Sequence, residues 1–246
     1  MEELKRTINE EGFAVVENIY AEQEVDLIIE AINRLDWSSP TFRTSKELFA
    51  IRQFLNEAPE ISALIFTDKL LNILYDIFGP GYFVTKSIYF DKPKHSNWFV
   101  AYHQDLTISV DRRIEVDGFN SWTVKQDQFA VQPPVALLQG NFTLRIHLDD
   151  TDKNNGALKV VPKSHCKGIY RAEAIDWKAE QEVYCAVGRG GGMLMKPLLL
   201  HASSRTTNNK QRRVIHLEFS SCELPQGLNW SERFAHAVGQ GQIYRE

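Results

Sequence analysis

The Gly79-Pro80-Gly81 stop divides the chain into two kinds of sequence, and this division constrains the fold more than any other feature. Upstream of it, apolar residues recur at helical spacing. Leu4 and Ile8 sit four apart in the charged segment 2–11, which Gly12 ends; Val25, Ile28, Ile29 and Ile32 share one face of residues 21–35, whose first turn is acidic. The spacing predicts further helices over 46–56 and 59–78, a brief strand over 13–16, and a loop over 36–44 that holds Trp37, Ser38, Ser39 and Pro40.

Downstream, the period shortens. Residues 82–90 are aromatic and β-branched, 91–97 form a polar loop, and a strand carrying His103 follows. Pro133-Pro134 breaks the chain before 135–148, which reads as strand throughout. Shorter strands are expected at 157–161, 183–187, 192–196 and 213–220, with turn clusters at 149–156 and 164–168. Residues 121–131 follow neither period, and the polar tail from Glu223 reads as irregular. A helical front third, about residues 1–80, precedes a strand-and-turn region over about 81–222. That order predicts a mainly β fold with flanking α-helices in a single domain spanning 1–246, built on an antiparallel double-sheet core. Pattern alone leaves a jelly roll and other sandwiches open.

Composition excludes several function classes. A net charge of −4 and a pI near 6.0 argue against a nucleic-acid binder, and basic residues cluster only in pairs such as Arg112-Arg113 and Arg212-Arg213. Three cysteines without C-x-x-C spacing read as reduced thiols. The charged N-terminus shows no signal-peptide core, and the apolar run 193–200, interrupted by Lys196, is too short to span a bilayer. A cytoplasmic location is the expectation.

Chemistry concentrates in Trp98–Ser109, WFVAYHQDLTIS. On a strand, alternate side chains share a face, so His103 and Asp105 can project together while Gln104 turns aside. An imidazole and a carboxylate so placed are two-thirds of the 2-His-1-carboxylate triad of non-haem Fe(II) sites. The third ligand must come from a distant strand. Of seven histidines, His95 reads as solvated in a polar loop, His165 closes a turn, His216 sits on a late strand, and His236 is in the tail. His147 lies on an alternating strand and could line a pocket. His201 follows the apolar run 197–200; a histidine so placed is more often a hydrogen-bonded structural residue than a ligand. Eleven positions on, however, stands Arg212 at the head of a strand, and its planar fork matches a carboxylate bidentately.

With these residues in view, the chain resembles the phytanoyl-CoA dioxygenase family of Fe(II)- and 2-oxoglutarate-dependent oxygenases. The resemblance covers about residues 12–219. It rests on the helix–Gly-Phe-x-Val-Val–helix entry, residues 82–93, His103-Gln104-Asp105, the block Asn155-Gly156-Ala157-Leu158…Pro162-Lys163-Ser164-His165, and His201-Ala202-Ser203 with Arg212. It implies a double-stranded β-helix (jelly-roll, cupin-like) core and an enzyme using Fe(2+), 2-oxoglutarate and O2, with ascorbate as a possible stimulant.

The family pattern further implies His103, Asp105 and His201 as iron ligands and the catalytic set. It implies Arg212, with the Ser203 hydroxyl beside it, as the partner of the distal carboxylate of 2-oxoglutarate; Arg213 alternates to the opposite face. Lys86 falls on a strand that supplies a polar cosubstrate contact, or is a snorkelling surface lysine. Thr143, Arg145 and His147 share one strand face and would line the cavity, Thr143 toward the cosubstrate. Arg145 would hold an anionic substrate or pair with a nearby carboxylate. Further substrate candidates are Gln104, Trp98 and Trp122, with Arg112, Arg113 and Phe119. The Asn155–His165 block reads as structural, and Gly190-Gly191-Gly192 as a turn before a strand. Related halogenating enzymes lack the carboxylate, so Asp105 implies hydroxylation of a C–H bond of a small metabolite. The rival reading is a non-oxidative cupin-like metal protein, either an isomerase or lyase or a ligand-binding module; it has no need of Arg212.

Overall fold

The structure is a computed structural model that describes residues 1–35, 42–44, 49–94, 96–125, 128–225 and 227–235. The expected loop around Trp37–Pro40, the start of the helix expected from Lys46, His95 and the tail with His236 lie outside the described residues.

The helices are α1 (Glu2–Glu11), α2 (Glu22–Asn33), α3 (Phe54–Glu57), α4 (Ser62–Ile65), α5 (Asp68–Phe78) and α6 (Val135–Gly140). The strands are β1 (Phe13–Val16), β2 (Phe42–Thr44), β3 (Phe49–Arg52), β4 (Phe83–Lys92), β5 (Val100–His103), β6 (Ile108–Val110), β7 (Asn120–Lys125), β8 (Gln128–Gln132), β9 (Phe142–His147), β10 (Leu158–Val160), β11 (Val183–Cys185), β12 (Gly192–Met195), β13 (His201–Ser203) and β14 (Arg212–Ser220). They form a seven-stranded sheet in the order β1-β12-β9-β14-β4-β3-β2, a four-stranded sheet β11-β10-β13-β5 and a three-stranded sheet β6-β8-β7. Early strands pair with late ones, β4 with β14 and β5 with β13, all antiparallel. This interleaving is the double-stranded β-helix that the resemblance implied. Among the described residues no helix is long and apolar enough to cross a membrane.

The helices cover one face of the large sheet. Ile8, Val25, Ile28, Ile32, Leu70 and Leu74 pack there against Tyr89, Leu144, Ile146, Ile215, Leu217 and Phe219. Alternation then commits the intervening residues of β9 and β14 to the other face. The helix ends follow local chemistry. Gly12 takes φ 87 and returns its N–H to Ile8 O, and the Thr67 hydroxyl caps α5 by accepting from Leu70 N.

Four expectations of element type need correction, and the first is the loop over 36–44, whose described part Phe42–Thr44 is strand β2 because it pairs with β3. The helix expected over 46–56 is strand at β3, because the edge of β4 pairs Phe49–Arg52 along its length and this overrides helical propensity. The helix expected over 59–78 is a 3-10 turn at Pro59–Ile61, then α4, then α5, because the Thr67 cap restarts the helix. The strand expected over 135–148 opens as α6, started by Pro134 and closed at Asn141, before β9 begins. The unassigned residues 121–131 contribute to the β7–β8 hairpin.

Glu232 ties the C-terminal segment to this frame. Its carboxylate accepts from Ser87 N at 3.1 Å and from the Ser87 hydroxyl, while that hydroxyl accepts from Leu55 N at 2.9 Å. Burial pushes the Glu232 carboxyl up to about 7. A carboxyl raised on folding makes the unfolded chain the first to ionise, so stability falls as pH rises from about 4.5 and levels off above about 7. Glu232→Gln removes the ionisable group: its amide oxygen accepts from Ser87 N, and its amide N–H donates to the Ser87 hydroxyl oxygen instead of accepting from it. It is expected to match wild type in urea unfolding at pH 4 and to exceed it by roughly 3 kcal/mol at pH 8. Equal pH slopes in the two proteins would contradict the assignment.

Candidate metal centre

The two sheets face each other across a cavity of about 150 Å³, lined by β4, β9 and β14 on one side and by β5, β10 and β13 on the other. Antiparallel pairing sets His201 of β13 directly opposite His103 of β5. The strand ends at His103, so Asp105 does not reach the site by strand alternation. It lies in the irregular segment that follows, fixed by its own N–H on Pro197 O at 2.9 Å. His103 Nε2 stands 3.9 Å from Asp105 Oδ1 and His201 Nε2 stands 3.8 Å from Oδ2. One donor atom from each of the three residues lies within 4.8 Å of the others.

Both imidazoles are oriented alike. His103 Nδ1 lies 2.9 Å from Ala101 O, and His201 Nδ1 lies 2.9 Å from Leu199 O. A carbonyl only accepts, so each Nδ1–H donates and each neutral ring turns its Nε2 lone pair inward. Burial pushes His201 down to about 4, which keeps that lone pair free at neutral pH. Burial pushes the Asp105 carboxyl up, but His201, His216, His103 and Lys86 outweigh it and hold it below the ordinary value. Asp105 Oδ2 is buried without a hydrogen-bond partner. Two inward lone pairs and an unpartnered carboxylate oxygen fit a divalent cation such as iron.

At the other end of the cavity stands Arg212, 2% exposed, with its guanidinium brought down to about 9 by burial. It donates to Gly156 O, so the Asn-Gly turn orients the arginine as well as turning the chain. Arg212 Nε and the Ser203 hydroxyl are both buried without partners and line the same cavity. These donors fit a carboxylate. Arg213 points away, to Asp149 at 2.6 Å.

The remaining candidates divide. Trp98, Lys86 and Arg145 line the cavity. Lys86 is paired with Glu218 at 2.8 Å; burial opposes both charges, yet their attraction holds Lys86 above and Glu218 below its ordinary value. Gln104 is not in the cavity wall. Its amide bridges Leu198 O, Gly168 O and Tyr170 N, because the strand end turns it into the loop packing. Thr143 sits in a smaller adjoining recess with Asp105, Thr107, Asn141 and Glu218, away from Arg212. His147 is buried on the same strand face, with Nδ1 2.8 Å from Thr151 Oγ and Nε2 without a partner, and does not line the cavity. Trp122 and Phe119 pack in the satellite core under β6–β8, Arg113 lies over the Trp122 ring, and Arg112 pairs with Asp111. None of these four lines the cavity.

Several lining residues escaped the sequence reading as site candidates. His216 and Glu218 share the parity of Arg212 on β14 and therefore its face; Phe90 and Ile88 share that of Lys86 on β4. The parity rule, applied to the whole strand, would have found them.

A family model described as phytanoyl-CoA dioxygenase (PhyH) matches residues 8–214. Among curated protein sequences none matches the chain. Solved structures do. EctD from S. alaskensis with bound Fe has a TM-score of 0.70 at 18% identity, over 92% of this chain and 79% of its own. HygX from Streptomyces hygroscopicus, with nickel, 2-oxoglutarate and hygromycin B bound, has 0.64 at 17%, over 89% and 87%. SnoN, a non-heme alpha ketoglutarate dependent epimerase from nogalamycin biosynthesis, has 0.67 at 14%, over 89% and 82%.

Proposed function

Because this chain belongs to the phytanoyl-CoA dioxygenase family, we propose that it is an iron- and 2-oxoglutarate-dependent oxygenase that hydroxylates a C–H bond of a small molecule. The observation that carries this reading is the convergence of His103 Nε2, His201 Nε2 and Asp105 on one ion-sized space. Iron held there, with 2-oxoglutarate and O2, supplies the oxidation and releases succinate and CO2.

The chain's own residues bind and orient. His103, Asp105 and His201 would hold the metal, a 2-His-1-carboxylate set of the kind that leaves sites for cosubstrate and O2. Arg212 and Ser203 take the distal carboxylate of 2-oxoglutarate and thereby fix its length along the cavity. Phe90, Ile88 and Leu158 keep that cavity apolar around the polar ends. The structural likeness extends to an epimerase and a carbocyclase, both alpha ketoglutarate dependent, so the same frame hosts other reactions. Retention of the carboxylate at Asp105 supports hydroxylation over halogenation. The hygromycin B bound by HygX supports a small-molecule substrate.

The test is succinate formation from 2-oxoglutarate with Fe(II), ascorbate and a metabolite panel, read alongside binding. Quenching of tryptophan fluorescence, with Trp98 in the cavity wall, should report 2-oxoglutarate in the metal-loaded protein. Arg212→Ala should weaken that binding by at least about 30-fold, the cost of removing one partner from a buried ion pair. Unchanged affinity in the variant would favour a cupin-like protein with no keto-acid cosubstrate.

A further inference from the structure

The cavity holds a second arginine. Arg145, on β9, is 7% exposed and lines the same space as Asp105, His201 and Arg212. Its Nε has no hydrogen-bond partner, and among the described residues no carboxylate lies within 4.0 Å of its guanidinium. A buried cation without a counter-ion is costly, and such groups are normally paired.

Its surroundings aim it. His216 Nε2 lies 3.2 Å from Glu218 Oε1, an acceptor, so that nitrogen donates and Nδ1 carries the lone pair; Arg145 donates to Nδ1 at 2.9 Å. Glu218 also holds Lys86. The chain Lys86–Glu218–His216 thus fixes the arginine while consuming the lysine's charge, and Arg145 is left with the uncompensated one. The Phe90 ring, 6.0 Å from Cζ, borders the guanidinium.

Asp105 is the cavity carboxylate that favours the Arg145 charge, while burial works against it and lowers it to about 10. Asp105 is also the carboxylate offered to the metal. A cation held at Asp105 would draw on the same carboxylate charge, so a keto-acid carboxylate arriving beside it would find Arg145 short of a counter-ion.

We infer that Arg145 is the second guanidinium of the cosubstrate cavity, taking the carboxylate at the keto end of a 2-oxo acid while Arg212 takes the distal one. This rests on the 2-oxoglutarate reading above. It replaces Lys86 as the polar cosubstrate contact on this side of the cavity and makes Arg145 a determinant of affinity for 2-oxo acids in general.

The test compares two probes on Co(II)-loaded protein by calorimetry: 2-oxoglutarate, with both carboxylates, and 2-oxobutyrate, with only the one at the keto end. Arg145→Met is expected to weaken both by the same factor, at least about 30-fold. Arg212→Ala is expected to weaken 2-oxoglutarate alone. Arg145→Lys, which keeps the charge but not the fork, should fall between wild type and Arg145→Met and serves if the methionine variant fails to fold in a melting scan. Wild-type affinity for both probes in the Arg145 variants overturns the assignment and leaves the 2-oxoglutarate reading standing. Weakening of 2-oxoglutarate alone places Arg145 at the distal carboxylate and also overturns it. If wild-type protein binds Co(II) but neither acid, the 2-oxoglutarate reading falls and this inference with it.

Discussion

Asp105→Ala is expected to lose divalent metal binding by more than about 100-fold, beyond the cost of removing an outer hydrogen-bond partner of a metal ligand. The carboxylate is the one anionic member of the candidate triad, and its Oδ2 is buried without another partner. Without it two imidazoles would face a wall whose Lys86 is offset by Glu218 and whose Arg145 and Arg212 carry unpaired positive charge, a setting that disfavours a cation. The measurement is calorimetric titration of Fe(II) or Co(II) into metal-free protein, with melting as a second readout. Metal at 100 times its dissociation constant stabilises wild type by about 2.7 kcal/mol, a shift of roughly 5–10 °C for a chain of this size. The variant should show no shift. Stoichiometric metal at wild-type affinity in Asp105→Ala would sink the proposed centre, and turnover should vanish with the metal.

The largest loss of stability is expected at Gly190. It opens the turn into β12 at φ 79, and a Cβ there would lie 2.5 Å from the carbonyl oxygen of Tyr20. That oxygen is backbone and has little room to yield: Tyr20 N donates to Gly190 O at 2.9 Å, Gly190 N donates to His147 O at 2.8 Å, and the Tyr20 hydroxyl is anchored on Ile65 O at 2.6 Å. Gly190→Ala therefore combines left-handed strain with a clash between two pinned segments, at about 3–5 kcal/mol. Gly79→Ala separates the two effects. Gly79 has φ 84 and ψ −172, backbone that essentially only glycine adopts, but open space around it, so strain alone, about 1–3 kcal/mol, applies. Urea unfolding of both variants checks the order; equal losses would show that strain alone matters at Gly190.

The sites of these effects differ in how far they were readable from the chain. His103-x-Asp105, His201 and Arg212 stood out as residue types at telling spacings, and the structure gathers all four in one cavity. Alternation also separated Arg212 from Arg213 and Arg145 from its apolar neighbours, because a strand has only two faces. Gln104, which alternation turned aside, spends its amide on loop packing, and His147, on the expected face, places Nδ1 against Thr151 Oγ and does not line the cavity. His216 and Glu218 share the Arg212 face by the same rule, but their meaning depends on Lys86 and Arg145 from two other strands.

Local chemistry carried the helix–strand division at Gly79-Pro80-Gly81, the helix ends, the face of each long strand and the identity of the candidate ligands, because each depends on residues within a turn or two. Long-range pairing decided the rest. It made strand of Phe49–Arg52, since the open edge of β4 was there to be paired. It set His201 opposite His103 across nearly a hundred residues, and it left Arg145 charged, buried and facing the metal site. Those outcomes turn on which groups meet and which go without partners, and partners distant in sequence meet only once the sheets have closed.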